Sequence, residues 1–197
     1  MLPPDVDPES RSRLPLRRRE ELDVQGQRLY DAVTGPESRT LVGLRGPSGI
    51  WLHSPRFGEI HRMANQYLRF ETELPGRLRE LAILVTAREL DQQFEWAAHE
   101  PAALREGLDP ALIDLVKHDK PVAGLGETEA VIVRFGREVF RDKKVRAETF
   151  AAAVTLFGRQ GTLNLAALMG EYAMTAVILN AVDQHLPPGQ EPLLPLP

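Results

Sequence analysis

"GRLRELAILVTAREL", residues 76–90, sets Leu78, Leu81, Ala82, Leu84 and Val85 on more than one face of a helix. Such a helix does not lie on a surface with a single stripe turned inward; it is buried on most sides and needs neighbours around it. The longest pattern in the chain has the same character. "RQGTLNLAALMGEYAMTAVILNAVDQH", residues 159–185, is apolar on several faces and carries Gly170 among small residues, as a central core helix or a subunit interface does. No segment shows sustained alternation or an Asn-Gly hairpin turn, the signals of a strand. The fold class predicted is therefore all-α, a helical bundle of about eight helices.

The remaining elements follow from caps and breakers. Leu22, Leu29, Tyr30 and Val33 fit a helix over 20–34 that Gly35-Pro36 stops. Ser54-Pro55 reads as an N-cap followed by proline at the first helical position, opening a helix over 55–71. The "DQQ" segment bends the chain before a helix over 94–107, ended by Gly107. Asp109-Pro110 caps a short helix to His118, and helices over 127–142 and 146–157 precede the long one. Residues 1–19, rich in proline and charge, read as a flexible arm. Residues 20–186 form one helical domain, and residues 187–197 an extended Pro-rich tail whose exposed leucines are of the kind that lie over a neighbouring subunit.

A chain of 197 residues supports one good hydrophobic core, and halving it would leave two marginal ones. A net charge of −4 provides no basic field for nucleic acid. No apolar run is read as reaching the roughly 20 residues of a membrane span, and the N-terminal arginines are not followed by the apolar stretch of a secretory signal. A cytoplasmic protein is expected. The chain has no cysteine, which excludes thiolate nucleophiles, disulfides and cysteine-ligated metal. Residues 42–55, "VGLRGPSGIWLHSP", are rich in glycine but lack the Gly-Lys-Ser/Thr ending of a phosphate-cradling loop.

The candidate chemistry lies in "QQFEWAAHEP", residues 92–101. Glu95 and His99 stand four apart and share a helix face. A carboxylate beside an imidazole fixes its tautomer and makes a proton-transfer pair. Spacing alone is weak evidence, because chance supplies about 0.7 such pairs in a chain of this composition and Asp114–His118 is another. The patterns His-Glu-x-x-His and Glu-x-x-His of helical metal sites are absent, so no metal or other cofactor is expected. Trp96 lies on an adjacent face and either walls a pocket or fills the core. Trp51 and His53 sit in the irregular loop, where polar groups are displayed for binding. Arg88, two turns after Glu80, is placed to clamp a carboxylate or to serve as a salt-bridge partner.

The stretch "LPGRLRELAILVTARELDQQFEWAAHEPAALREGL", residues 74–108, resembles the carboxymuconolactone decarboxylase and alkylhydroperoxidase D-like superfamily. "LRGPSGIWLHSP" upstream and "TLFGRQGTLNLAALMGEY" downstream extend the resemblance to residues 40–182. It implies an all-helical fold that assembles as a trimer or hexamer. The peroxidase branch carries a glutamate and then Cys-x-x-Cys-x-x-x-His. Laid on this sequence, Glu80 takes the glutamate position and His99 the histidine position, while Gln92 and Glu95 stand where the cysteines would be. Thiol peroxidase chemistry is lost with them. The decarboxylase branch implies a different reaction, in which CO2 leaves a carboxylated unsaturated lactone and the resulting dienolate takes a proton.

On that resemblance the catalytic residues are Glu80, Glu95 and His99: Glu95–His99 delivers the proton and Glu80 orients the imidazole. Arg88 holds a carboxylate, Trp51 and Trp96 form apolar walls, and His53 completes the substrate-binding set. The protein is then a cofactor-free acid/base enzyme acting on a small carboxylated lactone or unsaturated acid. The alternative is a non-catalytic helical oligomer that binds a small ligand. The two readings part on whether Glu80, Glu95 and His99 converge on a closed pocket, or point to bulk solvent or into separate salt bridges.

Overall fold

Eight α-helices, and no strand, make up the described residues 2–196 of the computed structural model. They are α1 (Val24–Thr34), α2 (Pro47–Ile50), α3 (Pro55–Phe70), α4 (Gly76–Glu89), α5 (Gln93–Arg105), α6 (Pro110–Lys117), α7 (Glu127–Arg137) and α8 (Ala147–Ala181). The two helices read from the sequence over 146–157 and 159–185 meet within α8 at Gly158, whose φ of 67° and ψ of 176° no helix contains. By length and composition α8 suffices to cross a membrane, contrary to the expectation from the sequence. Half of its most apolar window is buried inside the protein.

The chain forms two compact units. The first runs through Gln66 and takes in Val177–Glu191. Its N-terminal stretch is not a loose arm: Val6, Ser10 and Ser12 are buried. Arg13 N–H donates to the Val182 carbonyl at 2.7 Å, and His185 N–H to that of Arg11 at 2.8 Å. Composition misled here because backbone pairing with the segment after α8, invisible in the local sequence, supplies the order. In the same unit Gly58 lets α3 approach closely; a Cβ there would stand 2.6 Å from Leu29 Cδ2 and 2.8 Å from Trp51 Cβ.

The second unit, Tyr67–Ala176 with the tail from Pro192, is organised around α4. Every residue from Leu78 to Ala87 is buried, as its all-round apolar pattern predicts. Trp96 from α5, Val131–Val133 from α7, and Leu165, Leu168 and Met169 from α8 complete this core. Gly136 on α7 makes the close approach to Val85 on α4 possible, since a Cβ there would meet Val85 Cγ1 at 2.4 Å. The apolar tail packs within its own unit: Leu194 is buried in the core. Gln93 fixes it by accepting from the Leu193 and Leu194 N–H groups at 3.0 and 2.9 Å.

Candidate functional site

The bend at residues 90–92 turns α4 back along α5. Asp91 adopts a left-handed φ of 50°, and Gln92 caps α5 by accepting from Phe94 N–H at 3.0 Å. Glu80 lies 11 residues before this turn on one arm and His99 eight after it on the other, roughly 12–16 Å from the bend at 1.5 Å per residue. The arms differ by about three residues, less than one helical turn, a gap that the two long side chains close. The hairpin is therefore what converts two distant residues into a contact.

His99 Nδ1 meets Glu80 Oε2 at 2.7 Å. On the other side of the ring, Nε2 faces Glu95 Oε2 at 3.6 Å. Glu80, Glu95 and His99 are only 1%, 4% and 4% exposed, so the three side chains meet away from solvent. The edge of the Tyr172 ring, on α8, stands against the imidazole with centroids 5.0 Å apart.

Two arginines face the outer oxygen of Glu80: Arg69 Nη2 at 3.7 Å and Arg79 Nε at 3.6 Å from Oε1. Burial pushes the Glu80 carboxyl up, but the hydrogen bond and charge of His99, aided by Arg69 and Arg79, outweigh it and hold the group below its ordinary value. Burial works against the charge on Arg69, yet Tyr172, Glu80, Glu171 and Glu95 together raise it. Burial also lifts the Tyr172 phenol well above its ordinary value, against the pull of Arg69.

These directions set the protonation logic. An ionised Glu80 accepts from His99 Nδ1–H, which leaves Nε2 as the ring atom that faces Glu95. Nε2 and a Glu95 oxygen cannot both present lone pairs to each other without repulsion. One mobile proton between them relieves it, and that is the arrangement of a general acid/base pair.

The other residues singled out from the sequence lie elsewhere. Arg88 donates to the Pro195 carbonyl at 2.8 Å and pairs with Asp91 at 3.2 Å, so it holds the tail, and Arg69 and Arg79 stand beside Glu80 in its stead. Eight residues of helix leave Arg88 about 80° around the axis from Glu80 at 3.6 residues per turn, which accounts for the difference. Trp96 is fully buried in the core, its indole N–H donating to Glu100. Trp51 and His53 belong to the first unit, where Trp51 packs on the His61 ring at 4.4 Å and His53 donates to the Pro15 carbonyl at 2.9 Å. Nothing in the local sequence marked Arg69, Arg79 or Tyr172, because tertiary packing alone gathers them. Among the described residues no three His, Asp or Glu side chains are arranged to hold a metal ion.

The carboxymuconolactone decarboxylase family model matches residues 56–133, the segment that contains Glu80, Glu95, His99, Arg69 and Arg79. No curated protein matches the chain. Among solved structures, the alkylhydroperoxidase AhpD core of an uncharacterized peroxidase-related protein from Ralstonia eutropha JMP134 superposes with a TM-score of 0.71 at 16% identity. That match covers 90% of this chain and 93% of the other, and the two share a fold.

Proposed function

We propose, from the family match over residues 56–133 and the shared fold, that the chain is a member of the carboxymuconolactone decarboxylase and AhpD-like superfamily and a thiol-free acid/base enzyme acting on a small carboxylated lactone or unsaturated acid. The observation that carries the reading is an imidazole set between two carboxylates, Glu80 at 2.7 Å and Glu95 at 3.6 Å, all three groups buried. Peroxide reduction is not part of the proposal, since the chain has no cysteine to supply a thiolate.

In the decarboxylase-type reaction the bond from the ring carbon to the carboxylate breaks and CO2 departs. The electron pair stays behind as a dienolate, and the carbon then takes a proton. His99 supplies that proton from Nε2 while Nδ1–H stays on Glu80, and Glu95 returns a proton to Nε2. The low exposure of the site strengthens each of these interactions relative to water. A homo-oligomer, trimeric or hexameric and cytoplasmic, belongs to the same proposal. Exposed apolar side chains on α3, Phe57, Ile60 and Met63, are of the kind that subunit faces bury.

The test is turnover of γ-carboxymuconolactone by the wild type and by His99→Ala. The expected result is turnover by the wild type and a loss of about 10²–10⁴-fold in the variant; equal rates remove the assignment. A second reading, a ligand-binding protein without chemistry, draws on the engagement of Glu80 by residues of its own fold. It predicts no turnover of any carboxylated lactone by the wild type.

A further inference from the structure

Both guanidinium groups beside Glu80 have a buried Nε without a hydrogen-bond partner, but one is committed through its terminal nitrogens. Arg79 donates through Nη1 to the Arg69 backbone carbonyl and through Nη2 to Glu106 Oε1 at 3.5 Å. Arg69 is different. Its side chain is 10% exposed, its Nε is buried without a hydrogen-bond partner, and its Nη2 stops 3.7 Å from Glu80 Oε1, short of a hydrogen bond. Its plane rests on the Phe70 ring, 4.8 Å from the centroid, which fixes the group without using its donors.

A buried guanidinium carries five N–H donors in a flat fork that matches the two oxygens of a carboxylate. Folded proteins seldom leave such a donor orphaned, and an orphaned donor beside a reactive centre calls for an acceptor, which a bound anion can supply. Glu80 links the two places, holding His99 with Oε2 and facing Arg69 with Oε1. A small molecule anchored at Arg69 therefore lies next to the imidazole.

We infer that Arg69 is the carboxylate anchor of this site, so that the substrate is an anion bound through a carboxylate by the Arg69 guanidinium. The inference rests on the acid/base reading for the identity of the site and adds the residue that holds the substrate's carboxylate. Arg79 acts as a positioning residue, pinning the Arg69 carbonyl so that the guanidinium keeps its place on Phe70.

The experiment is calorimetric titration of the full-length protein with cis,cis-muconate and, separately, with its dimethyl ester. Wild type is compared with Arg69→Met, Arg69→Lys and Arg88→Met, each first shown to unfold cooperatively. Loss of a charge-assisted pair weakens muconate binding by about 10–100-fold in Arg69→Met. Arg69→Lys recovers part of the affinity, and Arg88→Met leaves it unchanged. The ester binds wild type and Arg69→Met alike, and weakly. Turnover by the wild type is measured alongside, and its failure with muconate binding intact counts against the acid/base chemistry alone. The inference is overturned if Arg69→Met binds muconate as tightly as wild type, or if wild type binds neither form. Equal affinity of wild type for acid and ester also overturns it, and that comparison needs no substitution.

Discussion

Glu80→Gln is the perturbation that the structure resolves most sharply. The swap preserves shape, and the amide oxygen still accepts from His99 Nδ1–H, so no cavity opens and the 2.7 Å contact keeps an acceptor. What disappears is a charge that is 1% exposed and faced by Arg69 at 3.7 Å and Arg79 at 3.6 Å. Removing one member of a buried ion pair costs about 3–5 kcal/mol because the other charge is left uncompensated. The low end applies, since both separations exceed hydrogen-bond length and Arg79 retains Glu106 and the Arg69 carbonyl. A loss of about 3 kcal/mol lowers the melting temperature of a chain this size by about 6–12 °C. The loss depends on pH. The folded carboxyl is held below its ordinary value, so between the folded and unfolded values the unfolded chain binds more protons and stability rises with pH. The Glu80 contribution is therefore complete above about pH 5, beyond the unfolded carboxyl value, and fades as pH falls through the folded value. Urea unfolding of both proteins from pH 7 downward measures this: the gap is full at pH 7 and narrows in acid. Equal stability at pH 7, or a gap that widens on acidification, refutes the reasoning.

Gly136→Ala forces a Cβ to 2.4 Å from Val85 Cγ1, and Val85 is too stiff at χ1 to yield freely. Overpacking here lowers stability by about 1–3 kcal/mol; an unchanged denaturation midpoint would contradict the close packing of α4 and α7. Gln93→Ala removes acceptors for the Leu193 and Leu194 N–H groups and the bond from its own amide to the Leu194 carbonyl at 2.8 Å. Amide hydrogen exchange should then show lost protection at 193 and 194, and retained protection would mean that the burial of Leu194 holds the tail unaided.

What the sequence made legible followed from local chemistry. The buried character of α4 came from its apolar positions, and the start of α3 from Ser54-Pro55. The convergence of Glu80, Glu95 and His99 combined a helix-face spacing with a family resemblance. What it concealed depends on distance in the chain. Arg69 reaches Glu80 only through packing, and Arg88, chosen for its spacing on α4, is drawn to Pro195 at the far end of the sequence. Residues 2–19 seemed unanchored because their partners, Val182 and His185, lie beyond α8. Trp96 was legible as a large apolar side chain, but only the structure places it inside the core with its N–H on Glu100.

The protonation state of the His99 ring tests the central claim most directly. Long-range 1H–15N correlation spectra of the 15N-histidine-labelled protein, assigned with His99→Ala, report which ring nitrogen carries the proton in the neutral form. The account predicts an Nδ1–H tautomer, held by Glu80, that is lost or weakened in Glu80→Gln. A neutral ring protonated at Nε2, unchanged by that substitution, would contradict it.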